Sequence, residues 1–295
     1  MRVTTNLMVT NTLRRLSSRL EQYESKQEQL ATGRRINRTS DDPAGASRSL
    51  VLNSAIRART QERRNADDAV QMLDTADSKL QGAVTAMHRV KDLTVRASND
   101  LGPVEREAIA RELEQLQGTL VGIANSTSGD KPLFSGTHDG LAVENVAGSW
   151  TYTGDNGNVM RRISEQDRVT ANVTADEIFG FGSPQGDVFT IIDDLIGALD
   201  SDDTATLNAG LGRLNDAFSS VTEQLSVVGA VTNRVESARD RTQNALMTLR
   251  RELAEVQDVD LEEAIMDLQV EEIAYEATLQ ALGRSLPQSL IAFMR

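Results

Sequence analysis

Apolar residues recur at every third or fourth position over most of this chain, which is the spacing of helices that pack through a narrow seam. Near the N-terminus this spacing predicts a helix over residues 6–32. Gly33 is expected to end that helix, because glycine accepts the left-handed conformation found at helix C-termini. The helix is otherwise polar, so it needs a packing partner for its seam, which consists of Leu13, Leu16, Leu20, Tyr23 and Leu30.

Two more helices are predicted before residue 128. Asp42 can cap a helix whose first residue is Pro43, where no backbone N–H is needed. That helix is expected to run to about residue 101, and Gly102-Pro103 to separate it from a second helix over 104–127. Such a short break predicts an antiparallel pair. The predicted seams are Ala66, Ala69, Leu73, Ala76, Leu80, Ala83, Met87, Val90 and Ala97, followed by Ile109, Leu113, Leu116, Leu120 and Ile123.

The helical period disappears between residues 129 and 186. Nine of the 20 glycines and five of the ten aromatic residues fall in this segment. Asn156-Gly157 is typical of a two-residue hairpin turn, here between residues 149–153 and 159–164. Alternation of apolar and polar residues over 168–174 adds a further strand. We therefore predict a small β-rich domain with its own core.

Helical spacing returns over residues 187–200, 204–257 and 260–286. The last of these helices stops before Pro287. Its seam, at the far end of the chain, is Leu261, Ile265, Leu268, Tyr275, Leu279, Leu282 and Leu286.

These elements predict a mainly α protein: an elongated coiled-coil helical bundle built from both termini, with a small β-rich domain inserted in the middle. Five parts are expected. They are an N-terminal assembly helix and turn (1–40), the N-terminal half of a helical rod (41–128), the β-rich inserted domain (129–186), the C-terminal half of the rod (187–258) and a C-terminal assembly helix (259–295).

The sequence offers little material for catalysis. It has no cysteine, and its two histidines, His88 and His138, lack metal-ligand spacing. The glycine-rich segment 180–186 lacks the spacing of a phosphate-binding loop. We therefore expect no catalytic residue, no metal and no cofactor, and a protein that is not an enzyme.

The charge is uneven along the chain. The net charge is -13, yet residues 1–64 carry 13 basic and 6 acidic side chains. This bias either favours end-to-end pairing of subunits or reflects an ordinary solvated surface. An acidic chain is a poor nucleic-acid binder. We also find no signal-peptide-like apolar stretch and no segment long enough to insert into a membrane.

The apolar seams carry more information than the charges. The apolar seams of the middle helices can pack against one another within one chain. A lone pair of terminal helices is marginal in water, so we expect the two ends to assemble with other subunits. The predicted assembly seam is Leu13, Leu16, Leu20, Leu30, Leu268, Tyr275, Leu279, Leu282 and Leu286.

Several separate motifs, in the same order, resemble the flagellin superfamily. LATGRRINRTSDDPAGA (30–46) resembles that family's turn, and HRVKDLTVRASND (88–100) resembles its next helix, with Asp92 for Glu and Arg96 for Gln. YEATLQALGRSLPQSL near the C-terminus resembles the family's terminal helix. The signature residues are Gly33, Arg34, Ile36, Asn37, Asp41, Asp42, Pro43 and Gly45.

Pro43, KPLFSGT (131–137) and the final Ala-Phe-Met-Arg favour the family's hook–filament junction members over its filament subunits. The resemblance implies a ring of copies that contacts a neighbouring hook-associated protein and filament subunits. It also implies type III export without a cleaved signal peptide, an export chaperone on the C-terminal helix, and an extracellular place in the flagellum. A short filament flagellin is the alternative, and a soluble signalling coiled coil is a further one.

Overall fold

The computed structural model describes residues 2–99 and 102–285, so the predicted seam residue Leu286 lies outside the described residues. Helices predominate, as expected, with short strands near the middle. The helices are α1 (Arg2–Thr32), α2 (Pro43–Ala97), α3 (Pro103–Ala124), α4 (Ala175–Phe179), α5 (Val188–Ser201), α6 (Thr204–Gln257) and α7 (Leu261–Ser285). The strands are β1 (Thr127–Ser128), β2 (Lys131–Pro132), β3 (Val143–Val146), β4 (Ser149–Tyr152), β5 (Met160–Arg162) and β6 (Arg168–Thr170).

The chain divides into two compact units. The terminal unit consists of Met1–Ala58 together with Ala245–Arg295, and the middle unit is Arg59–Asn244. The long helices α2 and α6 each contribute to both units. The five finer boundaries expected from the sequence stay a prediction.

In the middle unit the predicted seams lie inside. Every seam residue of α2, from Ala66 to Ala97, is buried. On α6, apolar residues at seven-residue intervals from Leu207 to Val235 are buried as well, which is a coiled-coil repeat. The side-chain amide of Gln117 on α3 donates to the carbonyl of Phe189 (3.0 Å) and to the carboxylate of Asp193 (2.7 Å), both on α5. These contacts join helices from both halves of the sequence.

The predicted hairpin at Asn156-Gly157 is wrong. Strand β4 pairs with β3 through a turn at Ala147 (φ 55°) and Gly148 (φ 88°), and β5 pairs with β6. The segment around Gly157 is instead a connection. The carboxylate of Asp155 accepts from the backbone N–H groups of Thr137 (2.5 Å) and Gly157 (3.1 Å).

The expected separate core of the strand region is also absent. Its buried residues, among them Phe134, Ile163 and Val169, belong to the same apolar cluster as the helices of the middle unit. The Phe179 and Phe189 rings lie 5.1 Å apart between centroids, which connects α4 to α5. Strands of two to four residues have too little surface to bury a face by themselves, so they pack onto the helices.

Two predicted helix ends are too long. Helix α2 ends at Ala97, where the hydroxyl of Ser98 donates to the carbonyl of Thr94 (3.0 Å). Helix α3 ends at Ala124 because Asn125 joins strand β3: its amide donates to the carbonyl of Val143 (2.8 Å). A sequence pattern shows that a helix is present more reliably than it shows at which residue the helix ends.

Candidate assembly surface

The two ends of the described chain pair with each other. Helices α1 and α7 run side by side in opposite directions within the terminal unit, and the rings of Tyr23 and Tyr275 stack with centroids 6.3 Å apart. Arg19 and Lys26, which flank Tyr23 on α1, bind Glu271 (3.0 Å) and Asp267 (2.7 Å) on α7. Both ion pairs are partly exposed, so each contributes little stability and mainly fixes the register.

The predicted assembly seam is divided by this pairing. Leu16, Leu30, Leu268, Tyr275 and Leu282 are half-buried. The other described members remain exposed: Leu13 by 49%, Leu20 by 38% and Leu279 by 41%. Whether these side chains take part in assembly stays a prediction.

A second apolar face lies on α7, and the sequence reasoning missed it. Met266, Val270 and Ile273 are spaced as one helical face, and they are 61%, 62% and 67% exposed. They lie about half a turn away from the residues that contact α1. The spacing i, i+4, i+7 was the available signal, and it was masked by the stronger leucine seam beside it.

Six of the eight family-signature residues lie in the turn between α1 and α2, and the other two, Pro43 and Gly45, lie at the start of α2. Gly33 (φ 70°) ends α1, as predicted. Asp41 organises the middle of the turn, because its carboxylate accepts from the backbone N–H groups of Asn37 (3.0 Å) and Arg38 (2.8 Å). These bonds, the one from Arg38 foremost, lower the pKa of Asp41.

Asp42 caps α2. Its carboxylate accepts from the N–H of Gly45 (2.9 Å), which lowers the pKa of Asp42, and Arg35 adds an ion pair at 3.2 Å. A Cβ on Gly45 would lie 2.5 Å from both an Asp42 carboxylate oxygen and Cδ1 of the buried Ile36. The position therefore needs glycine.

The same turn is bound to the connection between α6 and α7. The backbone N–H of Arg35 donates to the carbonyl of Gln257 (2.8 Å), and that of Val259 donates to the carbonyl of Gly33 (3.1 Å). The guanidinium of Arg35 reaches the carbonyl of Val256 (2.9 Å). Arg34 pairs with Asp258 as an isolated β-bridge. The acceptors and donors on the α6–α7 side are backbone groups, so no side-chain pattern could have identified them.

Helix α7 has its own start signal. The carboxylate of Asp260 accepts from the N–H groups of Glu262 (3.0 Å) and Glu263 (3.3 Å). This is an N-cap, and acidic residues in the first turn complement the helix dipole. The contacts of the turn and the N-cap at Asp260 together fix where α1 ends and where α7 begins.

The described residues give this surface no evident small-molecule chemistry. Among them there is no group of three or more His, Asp or Glu side chains that could hold a metal ion. None of the helices within 2–99 and 102–285 is long and apolar enough to cross a membrane. What the surface does offer is exposed apolar area on two paired helices.

Comparison with known proteins gives matches at both ends of the chain. The model of the bacterial flagellin N-terminal helical region matches residues 3–139, and that of the bacterial flagellin C-terminal helical region matches residues 211–294. The chain is 27% identical to flagellin of Bacillus subtilis (strain 168), with all of both chains covered. It is 24% identical to flagellar hook-associated protein 3 of Escherichia coli (strain K12), covering 95% of this chain and 96% of that one.

The fold also has solved counterparts. The crystal structure of the flagellar junction protein FlgL from Legionella pneumophila superposes with a TM-score of 0.60 at 17% identity. That comparison covers 71% of this chain and 99% of the FlgL chain. At this identity the likeness concerns the fold.

Proposed function

The chain belongs to the flagellin family, and from that premise we propose that it is the structural subunit joining hook to filament in a bacterial flagellum. The observation that carries the proposal is the terminal helix pair. Helices α1 and α7 come from opposite ends of the chain and pair, yet they leave large apolar side chains exposed on both partners. Exposed apolar surface on this scale is typical of assembly.

The similar proteins support two alternative roles for this chain within the family. The full-length match to a hook-associated protein and the shared fold with a junction protein support the junction role, as do Pro43 and the KPLFSGT segment. Phe134 of that segment is fully buried against the helices of the middle unit. The full-length match to a filament flagellin supports the alternative, a short filament subunit. Family membership leaves no support for a signalling coiled coil.

The proposal includes a set of partners. Copies of this chain form a ring, one side of which contacts a neighbouring hook-associated protein and the other the first filament subunits. The role is mechanical, without catalysis. The protein acts outside the cell, in the flagellum, after export with a chaperone on its C-terminal helix.

Location on isolated flagella tests the proposal. A labelled antibody against this chain is expected to mark one band between hook and filament. Cells lacking the gene are expected to release filament subunits into the medium, because the filament has no base on which to assemble. Label along the whole filament would favour the filament-subunit alternative instead.

The terminal seam can be tested at Leu282. Leu282→Arg places a charge on a half-buried position of α7. Burial of an unpaired guanidinium in a packed seam costs about 3 kcal/mol or more. We expect loss of the chain from flagella and release of filament subunits. Unfolding of the middle unit should be unchanged.

Leu282→Met is the matched control, because it keeps volume and apolarity. It should assemble like the parent. Normal motility of the Leu282→Arg strain would show that this seam is not an assembly surface.

A further inference from the structure

The connection between β4 and β5 contains Asn156, the only asparagine in the sequence that a glycine follows. The Asn156-Gly157 pair forms no hairpin turn, so strand pairing does not account for it. The Asn156 side chain is exposed, and it forms no hydrogen bond or ion pair with any residue within 2–99 and 102–285. Its amide is therefore free to change rotamer.

The glycine after it is held from both sides. The N–H of Gly157 donates to the carboxylate of Asp155 (3.1 Å), and its carbonyl accepts from the side-chain amide of Asn172 (2.9 Å). The amide oxygen of Asn172 in turn accepts from the N–H of Val159 (2.7 Å). These bonds fix the peptide that follows Asn156 and leave the Asn156 side chain unrestrained.

Position 157 needs glycine for packing. A Cβ on Gly157 would lie 2.5 Å from the hydroxyl oxygen and 2.6 Å from the methyl carbon of Thr137. Thr137 is itself fixed, because its N–H and its hydroxyl each donate to the carboxylate of Asp155 (2.5 Å). The close approach of these two segments therefore requires glycine directly after Asn156.

Asparagine is chemically labile, and the next residue controls the reaction. Breakdown begins when the following peptide nitrogen attacks the side-chain carbonyl carbon, and a side chain on that following residue crowds the attack. Glycine has no side chain, so position 157 presents an unhindered nitrogen to Asn156. The packing that excludes a Cβ from this position thus also makes the neighbouring asparagine reactive.

We propose that Asn156 is a site of spontaneous deamidation in the folded chain. The nitrogen of Gly157 loses its proton and bonds to Cγ of Asn156, while the Cγ–Nδ2 bond breaks and ammonia leaves with that proton. Water then opens the succinimide ring. Opening at Cγ gives aspartate, and opening at the main-chain carbonyl carbon gives isoaspartate, in which the backbone runs through Cγ. No oxidant or enzyme is needed, and either product adds one carboxylate.

The carboxylate of Asp155 orients the attacking nitrogen. It accepts the N–H of Gly157, which is the N–H that must lose its proton. Hydrogen bonds lower the pKa of Asp155, the one from the Thr137 hydroxyl foremost. Asp155 is therefore charged at neutral pH and holds the peptide nitrogen in one orientation beside the Asn156 side chain.

The isoaspartyl product lengthens the backbone where the connection has no slack. One extra backbone carbon between positions 156 and 157 moves Gly157 either against Thr137 or away from Asn172. Asn172 is also the acceptor for the N–H of Val159, next to β5. A slow chemical step at Asn156 should therefore loosen the connection at the start of β5.

Mass spectrometry of the purified full-length chain tests the proposal. The protein would be incubated in heavy-oxygen water at neutral and at mildly alkaline pH, and then digested in ordinary water. Product formed during the incubation carries heavy oxygen, because solvent water opens the ring. We expect loss of the Asn156 amide, and a faster loss at alkaline pH because the attacking nitrogen must be deprotonated.

Asn158 is the matched internal control. It is an exposed asparagine in the same connection, but Val159 follows it, and a branched side chain crowds the attack. Its amide should stay intact while most of Asn156 is converted. Asn156→Gln is the engineered control: it keeps an amide but would need a larger ring, so no heavy oxygen should enter there. Equal conversion of Asn156 and Asn158, or conversion of neither, would overturn the proposal.

A parallel incubation in urea shows whether the folded connection permits the reaction. Unfolding frees the peptide, so conversion of Asn156 in urea establishes only that the residue pair is reactive. The proposal requires conversion in the native protein as well. An intact amide in the native protein, beside full conversion in urea, would show that the fold protects Asn156 and would overturn the proposal.

Hydrogen exchange measures the structural consequence. Isoaspartate at position 156 should raise the exchange rate of the Val159 amide by about twofold to tenfold, the effect of one lost hydrogen bond. The Ala142 amide, bonded to Asn125 (2.8 Å), should be unaffected. Freshly purified Asn156→Asp adds the same charge without lengthening the backbone, so it should exchange like the parent. Unchanged Val159 exchange in the isoaspartyl protein would overturn the inferred loosening.

The inference goes beyond the proposed function and does not depend on it. The reaction uses only residues of this connection, so the purified chain is sufficient to test it. Conversion of Asn156 would stand whether the chain lies at the junction or along the filament, and an intact Asn156 would leave the junction role untouched.

Discussion

The middle and terminal units use the same apolar spacing with opposite results. On α6, Leu207, Leu214, Val221, Val228 and Val235 follow a seven-residue repeat, and each is at most 2% exposed. On α7 the leucine seam is only half-buried, and Ile273 on the outer face is 67% exposed. The middle unit closes its core with its own helices and strands, whereas in the terminal unit α7 pairs with α1 and has its outer face exposed.

This difference indicates where stability and assembly reside. The apolar seams of the helices in the middle unit are buried within that unit, so their side chains stabilise the single chain. In the terminal unit, α7 has α1 on one side and the exposed apolar face of Met266, Val270 and Ile273 on the other. Mutations in the first region should change unfolding, and mutations on this exposed face should change contacts between copies.

The largest expected effect on stability is in the middle unit. Leu80 is fully buried on α2, so Leu80→Ala should lower the free energy of unfolding by about 2–5 kcal/mol through lost transfer energy and a residual cavity. Ile273→Ala should change it by no more than about 0.5 kcal/mol, since that side chain is exposed. Urea unfolding of the purified chain measures both. A cost above about 1 kcal/mol for Ile273→Ala would contradict the contrast.

The turn before α2 should show an intermediate effect. Gly45→Ala forces a Cβ against Asp42 and the buried Ile36, which should cost about 1–3 kcal/mol. Gly212→Ala is the control, because that helical glycine has open space around its Cβ position and alanine favours helix. Thermal unfolding should therefore separate the two variants. An equally harmless Gly45→Ala would show that the close approach is easily relieved.

A smaller effect is expected at the cap of α2. Asp42→Ala removes the acceptor of the Gly45 N–H and should lower the melting temperature by about 2–4 °C. Asp42→Asn keeps a capping oxygen and loses only the charge that faces Arg35, so it should melt closer to the parent. Loss of assembly without any change in melting would instead indicate that Asp42 contacts a neighbouring subunit.

The smallest effect is expected from acid. The pKa values of Asp41 and Asp42 are lowered in the folded turn, so their contribution is present above the unfolded pKa and is lost as pH falls through the folded one. Protection of the Asn37 and Arg38 amides from hydrogen exchange, corrected for intrinsic rates, should therefore fall below about pH 4. Asp41→Asn should remove this pH dependence at those amides while leaving that of Gly45 unchanged.

Local signals in the sequence predicted much of the candidate site. Gly33, Asp42 and Pro43 mark the end of one helix and the start of the next through their backbone preferences alone, and the structure places both ends there. The link from Arg35 to Val256 and Gln257 was not predictable, because its acceptors are carbonyl groups far away in the sequence. The ion pairs of Arg19 and Lys26 with α7 depend in the same way on a register that only the folded pair defines.

The error in the strand region has the same origin. Asn156-Gly157 carries the residue preferences of a hairpin turn, but the backbone there is held by Asp155, Thr137 and Asn172. Ala147-Gly148 forms the observed turn between β3 and β4 with a weaker local signal. Turn preferences are small in energy, so tertiary hydrogen bonds decide which candidate turn is used.

The sequence by itself determined the helices, their apolar seams and the capped turn between α1 and α2, because helix period, glycine conformation and capping act within a few residues. Tertiary structure alone decided what each seam packs against. A seam specifies that a face must leave water, but it does not specify the neighbour. The fold fills the seams of α2 and α6 from within the middle unit, and it leaves Met266, Val270 and Ile273 exposed because no second helix among residues 2–99 and 102–285 covers that side of α7.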